Sequence, residues 1–149
     1  MTSTTEKYTQ LILEVFSLHQ QLIIAGDGLS APFALTSAKW KVLGGIALSE
    51  KPPTVSQVAR KMGLSRQSVQ RLCNDLRAFG MLNLLHNPKD KRACCWQLSA
   101  KGWDSYRQVM QAQEAWIEQI SQGIDLDEVT ESTKFLKQFS SCISREFQW

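Results

Sequence analysis

Arg66, Gln67, Gln70, Arg71 and Asn74 recur three and four positions apart, the spacing that gathers side chains on one face of a helix. Those types read base edges: a guanidinium can pair bidentately with guanine, and a Gln or Asn amide with adenine. Ser65 and Ser68 stand at the start of the same stretch. Their hydroxyls and the free N–H groups of a helix start suit phosphate oxygens. Thr54, at the head of the preceding stretch, joins them as a candidate DNA contact. A second group, Lys89, Asp90, Lys91 and Arg92, sits in the turn HNPKDKR. Lys89 and Lys91 would neutralise phosphate there. Arg92 would enter a narrow minor groove, where the negative potential is high, and Asp90 would orient it through a charge-assisted hydrogen bond.

The surrounding pattern supplies the elements that hold these residues in place. Thr54-x-x-Gln57 is a capping box, and Val55, Val58, Ala59 and Met62 follow at helical spacing. Gly63 permits a tight turn, and Ser65 caps the next helix. The apolar stripe of that helix is Val69, Leu72, Cys73, Leu76 and Phe79, and Gly80 ends it. Met81–Leu85 and Ala93–Leu98 are short strand candidates flanking the basic turn, with Cys94, Trp96 and Leu98 on one face. Residues 54–102 read as a winged helix-turn-helix: two short helices, then a hairpin that sets a basic loop beside a basic helix face; with the short helix that precedes them, residues 36–102 form the DNA-binding part.

Three longer helices flank this module. The first runs from about Thr5 to Ala25, with Tyr8, Leu11, Ile12, Val15, Leu18 and Leu22 in a stripe, and Gly26-Asp27-Gly28 ends it. Thr36 or Ser37 caps a short helix carrying Trp40, Leu43, Ile46 and Ala47, and Pro52-Pro53 breaks the chain again. Ser99 caps a helix from about Ala100 to Gln122 with Trp103, Tyr106, Met110, Gln113, Ile117 and Ile120 aligned. Gly123 closes it. The last helix, from about Asp125, aligns Val129, Leu136, Phe139, Ile143 and Phe147. The fold class expected is mainly α with a small β-hairpin wing, flanked by N- and C-terminal helices.

Charge sharpens the reading. Residues 54–101 hold nine Lys/Arg against Asp75 and Asp90, while the remainder holds eight basic against twelve acidic residues. The net charge of +3 therefore divides into +7 on this segment and −4 on the rest, which points to a local anionic partner. No stretch is apolar enough to span a bilayer, and the polar start MTSTTEKYTQ lacks the plan of a signal peptide. A cytoplasmic location, with no membrane contact, is expected. Cys73, Cys94, Cys95 and Cys142 form neither a CxxC pair nor a Cys/His cluster at zinc spacing, so reduced thiols and no metal site are expected. His19 and His86 are far apart and neither neighbours a nucleophile motif; no Gly-rich phosphate loop is present. No catalytic residue and no cofactor are assigned, and the chain is not expected to be an enzyme. A winged helix used for protein contact is an alternative, although it would not need groove-reading polar residues and a basic wing.

LTSAKWKVL at residues 35–43, TVSQVARKMGLSRQSVQRLCNDLRAFGML, and NPKDKRACCWQLSAKG resemble, in that order, the second helix, the helix-turn-helix, and the wing with the start of the fifth helix of the MarR family of bacterial and archaeal regulators. Asp90 and Arg92 match the family's paired wing residues. The resemblance covers nearly the whole chain and implies a single MarR-like domain over residues 1–149. It also implies a homodimer formed by residues 5–25 and 100–149, reading a pseudo-palindromic operator in double-stranded DNA. The usual outcome is repression, relieved by a small phenolic or lipophilic ligand. Phe16, His19, Trp40, Trp103 and Tyr106 lie on helices that would border that ligand's cleft. Some members instead sense oxidants through a cysteine; Cys95, with three basic residues in the six positions before it, is the candidate here. The chain departs from the family at Leu84-Leu85, where basic residues are common, and at Trp96, where a smaller β-branched residue is usual.

Overall fold

The computed structural model describes residues 3–87, 89, 90 and 92–147. Among the described residues nine elements follow one another: α1 (Thr4–Ser30), a 3₁₀ turn (Ala31–Phe33), α2 (Ser37–Ala47), α3 (Val55–Met62), α4 (Arg66–Ala78), β1 (Leu82–His86), β2 (Cys94–Leu98), α5 (Ala100–Ile120) and α6 (Leu126–Phe147). This is the mainly helical winged architecture expected. By its contacts the chain divides into two units, residues 1–113 and 114–149.

The first unit carries the core. Val42, Leu43 and Ile46 of α2 meet Val58 and Ala59 of α3, Val69, Cys73 and Leu76 of α4, the hairpin residues Leu82, Trp96 and Leu98, and Tyr106 and Val109 of α5. α3 and α4 therefore each bury one face and leave the other in solvent, as an amphipathic helix must, whereas no residue of α2 is exposed. β1 and β2 pair antiparallel with Leu82 opposite Leu98 and Leu84 opposite Trp96. The segment entering α3 is laced to β2: the Trp96 amide donates to the Pro53 carbonyl at 2.9 Å, and Thr54 bridges Cys95. The wing and the first helix of the motif are thus tied by backbone hydrogen bonds.

Several boundaries differ from the sequence expectation. α1 does not stop at Gly26-Asp27-Gly28 but continues to Ser30. Gly26 is buried against the start of α2, where an added Cβ would stand 2.8 Å from the Ser37 hydroxyl. Asp27 accepts the Ser37 N–H at 2.7 Å, so it anchors α2 rather than ending α1. The turn away from α1 falls instead at Ala34, whose φ of 58° is left-handed. Phe79, expected in the buried stripe of α4, lies just past the helix and is 53% exposed, with the Lys39 ammonium 5.0 Å from its ring centre. In α5 the expected stripe is largely exposed apart from Tyr106, and the other large apolar residue buried in the core is Val109.

The second unit consists of the end of α5 and α6. Gly123 takes a φ of 81° between them, and the Asp125 carboxylate accepts the Asp127 N–H at 2.9 Å to open α6. No described residue of α6 is buried, and Phe135 stacks on Phe139 with ring centres 6.1 Å apart.

Candidate nucleic-acid interface

α3 and α4 are each fixed at their N-terminus by the cap their sequence encodes. The Thr54 hydroxyl accepts the Gln57 N–H at 3.3 Å, and the Gln57 side chain accepts the Thr54 N–H at 3.0 Å. Gly63 ends α3 at a φ of 66°, a left-handed turn that glycine adopts without strain. Ser65 then opens α4: its hydroxyl accepts the Ser68 N–H at 3.1 Å and donates to the Ser68 hydroxyl at 2.8 Å. The positive end of the α4 dipole faces outward beside these hydroxyls, which suits an anion.

Arg66, Gln67, Gln70, Arg71 and Asn74 are all exposed, on the side of α4 opposite Val69, Cys73 and Leu76. Two contacts order this face. Arg66 donates to the Ser56 hydroxyl of α3 at 3.2 Å, and Gln70 donates to the Asn74 side-chain carbonyl at 3.0 Å. The first uses one of five guanidinium donors and leaves the others for a ligand. Ser56 was missed in the sequence reading; only the packing of α3 on α4 brings it to Arg66.

In the wing, Lys89, Asp90 and Arg92 are exposed; Lys91 lies outside the described residues. The Asp90 carboxylate does accept a hydrogen bond from Arg92, but from its backbone N–H, at 2.9 Å. Asp90 therefore shapes the turn rather than steering the guanidinium as expected. Asn87, also missed, does the same one step earlier by accepting the Lys89 N–H at 3.0 Å. Both are side-chain turns of the kind that Asn and Asp favour.

The candidate ligand residues are dispersed. Phe16 and His19 are exposed on α1, whereas Trp40 is partly buried against the core. Trp103 and Tyr106 form an edge-to-face pair with ring centres 6.2 Å apart. Tyr106 lies against Gly44, one turn from Trp40 on the same face of α2. Trp40 and Tyr106 are thus brought to one helix face.

Cys95 is half-buried and lines an open cleft of about 1040 Å³ beneath the wing, with Leu48, Pro52, Leu85, Lys61 and Lys89. Cys73 is buried on the inner face of α4, and burial pushes its thiol up to about 12, so it is protonated at neutral pH. Among the described residues no group of three or more His, Cys, Asp or Glu side chains could hold a metal ion, and no helix is long and apolar enough to cross a membrane.

A polar, basic recognition helix set beside a basic hairpin wing defines a winged-helix DNA-binding protein. Residues 35–93 match the model of the MarR family. An uncharacterised protein of Mycobacterium tuberculosis is 34% identical over 72% of this chain and 71% of its own length. The fold is that of the M. tuberculosis transcriptional regulator MosR solved in complex with DNA (TM-score 0.70, 22% identity, 89% of this chain and 96% of that one). It is equally that of CouR from Rhodococcus jostii RHA1 bound to p-coumaroyl-CoA (TM-score 0.76, 17% identity, 93% and 95%). The chain belongs to the MarR family and is a DNA-binding transcription regulator, not an enzyme.

Proposed function

We propose that the chain is a homodimeric repressor that reads a pseudo-palindromic operator and releases it when a small phenolic or lipophilic ligand binds. The observation that carries the DNA half is the row Arg66, Gln67, Gln70, Arg71 and Asn74, held outward by the core on the other side of α4. Arg66, Gln67, Gln70 and Arg71 read the major groove, with Asn74 at the end of the row. Ser65, Ser68 and Thr54 take phosphate, Arg92 enters the minor groove, and Lys89 and Lys91 neutralise the backbone.

Exposed apolar residues on both terminal helices support the dimer. On α1, Leu13, Phe16 and Ile24 are 60%, 67% and 62% exposed, and on α6 Leu126 and Phe147 are 78% and 68% exposed. Surface of that kind on helices of a water-soluble regulator is what a partner subunit covers. In this reading residues 1–149 are one MarR-like domain acting in the cytoplasm, with residues 36–102 as the reading head and residues 5–25 and 100–149 as dimerisation helices. The effector half is supported by the acyl-CoA bound to CouR and by the aromatics Trp40, Trp103 and Tyr106. A second mode of release is oxidation at Cys95, whose half-buried thiol lines the open cleft beneath the wing. Full peroxide sensitivity in Cys95→Ser removes it.

The test is selection of bound fragments from a genomic duplex pool by the full chain at near-physiological salt. An inverted repeat with half-sites about one helical turn apart is expected. Fragments with no shared sequence overturn the reading.

A further inference from the structure

The C-terminus of the recognition helix is not closed by α4 alone. Its own backbone forms the usual glycine-turned end: the Gly80 N–H donates to the Arg77 carbonyl at 2.9 Å, and the Met81 N–H to the Leu76 carbonyl at 2.8 Å, with Gly80 at a φ of 77°. That arrangement leaves the carbonyls of Phe79, Gly80 and Met81 pointing onward. All three are taken by the first turn of α5. Lys101 Nζ donates to the Phe79 carbonyl at 2.7 Å, the Ser99 hydroxyl to the Gly80 carbonyl at 2.5 Å, and the Ser99 N–H to the Met81 carbonyl at 3.0 Å. The Ser99 hydroxyl also accepts the Gly102 N–H at 3.0 Å, so one oxygen serves both the end of α4 and the start of α5. Gly102 is buried at this crossing, where any Cβ would collide with the Met81 carbonyl.

From this geometry we infer that Lys101 is a positioning residue for DNA reading: with Ser99 it clamps the C-terminal end of α4 to α5 and so sets how the recognition helix enters the groove. The ammonium lies where the negative end of the α4 dipole favours a cation. Its charge would otherwise be counted among the phosphate contacts of the basic module. The hydrogen bond to Phe79 instead directs it to the protein's own backbone. Lys39, over the Phe79 ring, braces the same corner from α2. The inference rests on α4 being the reading helix.

The test compares the full-length wild type with Lys101→Met and Lys101→Arg on the duplex recovered by the selection and on a scrambled duplex, across a salt series. A positioning role predicts that Lys101→Met loses about five- to tenfold on the selected duplex, from the helix-end contact and the base contacts it aligns. Affinity for the scrambled duplex and the salt slope stay at wild-type values, and Lys101→Arg, which can still donate to Phe79, restores most of the loss. Thermal unfolding of each variant confirms that it is folded at the assay temperature. An equal loss on both duplexes, with a slope reduced by about 0.9, would make Lys101 a phosphate contact and overturn the inference. Unchanged binding by Lys101→Met overturns it as well. Failure of the wild type to prefer the selected duplex would instead refute the reading role of α4.

Discussion

The Asp90 carboxylate holds the backbone N–H of Arg92 at 2.9 Å. A carboxylate that looks misplaced among the wing's basic residues thereby shapes the wing turn, and Arg92 itself is exposed. The two residues have different jobs and should fail differently.

Arg92→Ala removes the charge proposed to enter the minor groove. Operator affinity should fall at least about tenfold and the salt slope by about 0.9, with the melting temperature unchanged because the residue is exposed. Asp90→Ala loosens the turn without removing a phosphate contact, so a smaller loss of about two- to fivefold is expected, comparable to one hydrogen bond, with the slope retained. Fluorescence anisotropy over a salt series separates the two.

Arg71→Ala tests base reading. One lost bidentate pair is worth about 1–3 kcal/mol of discrimination, so selection with this variant should return the wild-type repeat with one position per half-site degenerate. An unchanged motif would remove Arg71 from the reading set.

Much of this site is legible in the sequence because its determinants are local. The capping box of Thr54 and Gln57, the left-handed Gly63 and the Ser65 cap need only neighbours within four residues, and they fall as the spacing indicates. The hairpin strands are displaced by a single residue at their starts. What failed depends on partners far along the chain. Gly26-Asp27-Gly28 has the composition of a helix stop, yet Gly26 is there to admit Ser37 and Asp27 to hold its N–H. Phe79 has the right period for the core but follows the last helical turn, where periodicity no longer sets direction. Ser56 and Lys101 carry no local signal, since their partners Arg66 and Phe79 are reached only through tertiary packing.

Trp96 is 2% exposed and is the largest of the fully buried side chains, seated under the wing opposite Leu84. The bulk that departs from the family pattern is therefore filled core. Trp96→Ala should destabilise the protein by about 3–5 kcal/mol through lost transfer energy and the cavity left behind. Urea unfolding followed by circular dichroism measures it.

Cys73 gives a pH prediction. Burial raises its thiol to about 12, so folding favours the neutral form; the contribution to stability is complete below about pH 9 and is lost as pH rises from 9 towards 12, where only the unfolded chain ionises easily. Wild type should lose stability above pH 9 more steeply than Cys73→Ala, although that variant starts less stable. At pH 8 iodoacetamide should modify the exposed Cys142 first and reach Cys73 only on unfolding.

The most direct measurement is the equilibrium affinity of the full chain for the selected inverted repeat and for a scrambled duplex of equal composition, over a range of salt. Sequence-specific reading by α4 with its wing predicts a preference of about a thousandfold or more at near-physiological salt, with both affinities falling steeply as salt rises. Equal affinity for the two duplexes, or binding indifferent to salt, would contradict it.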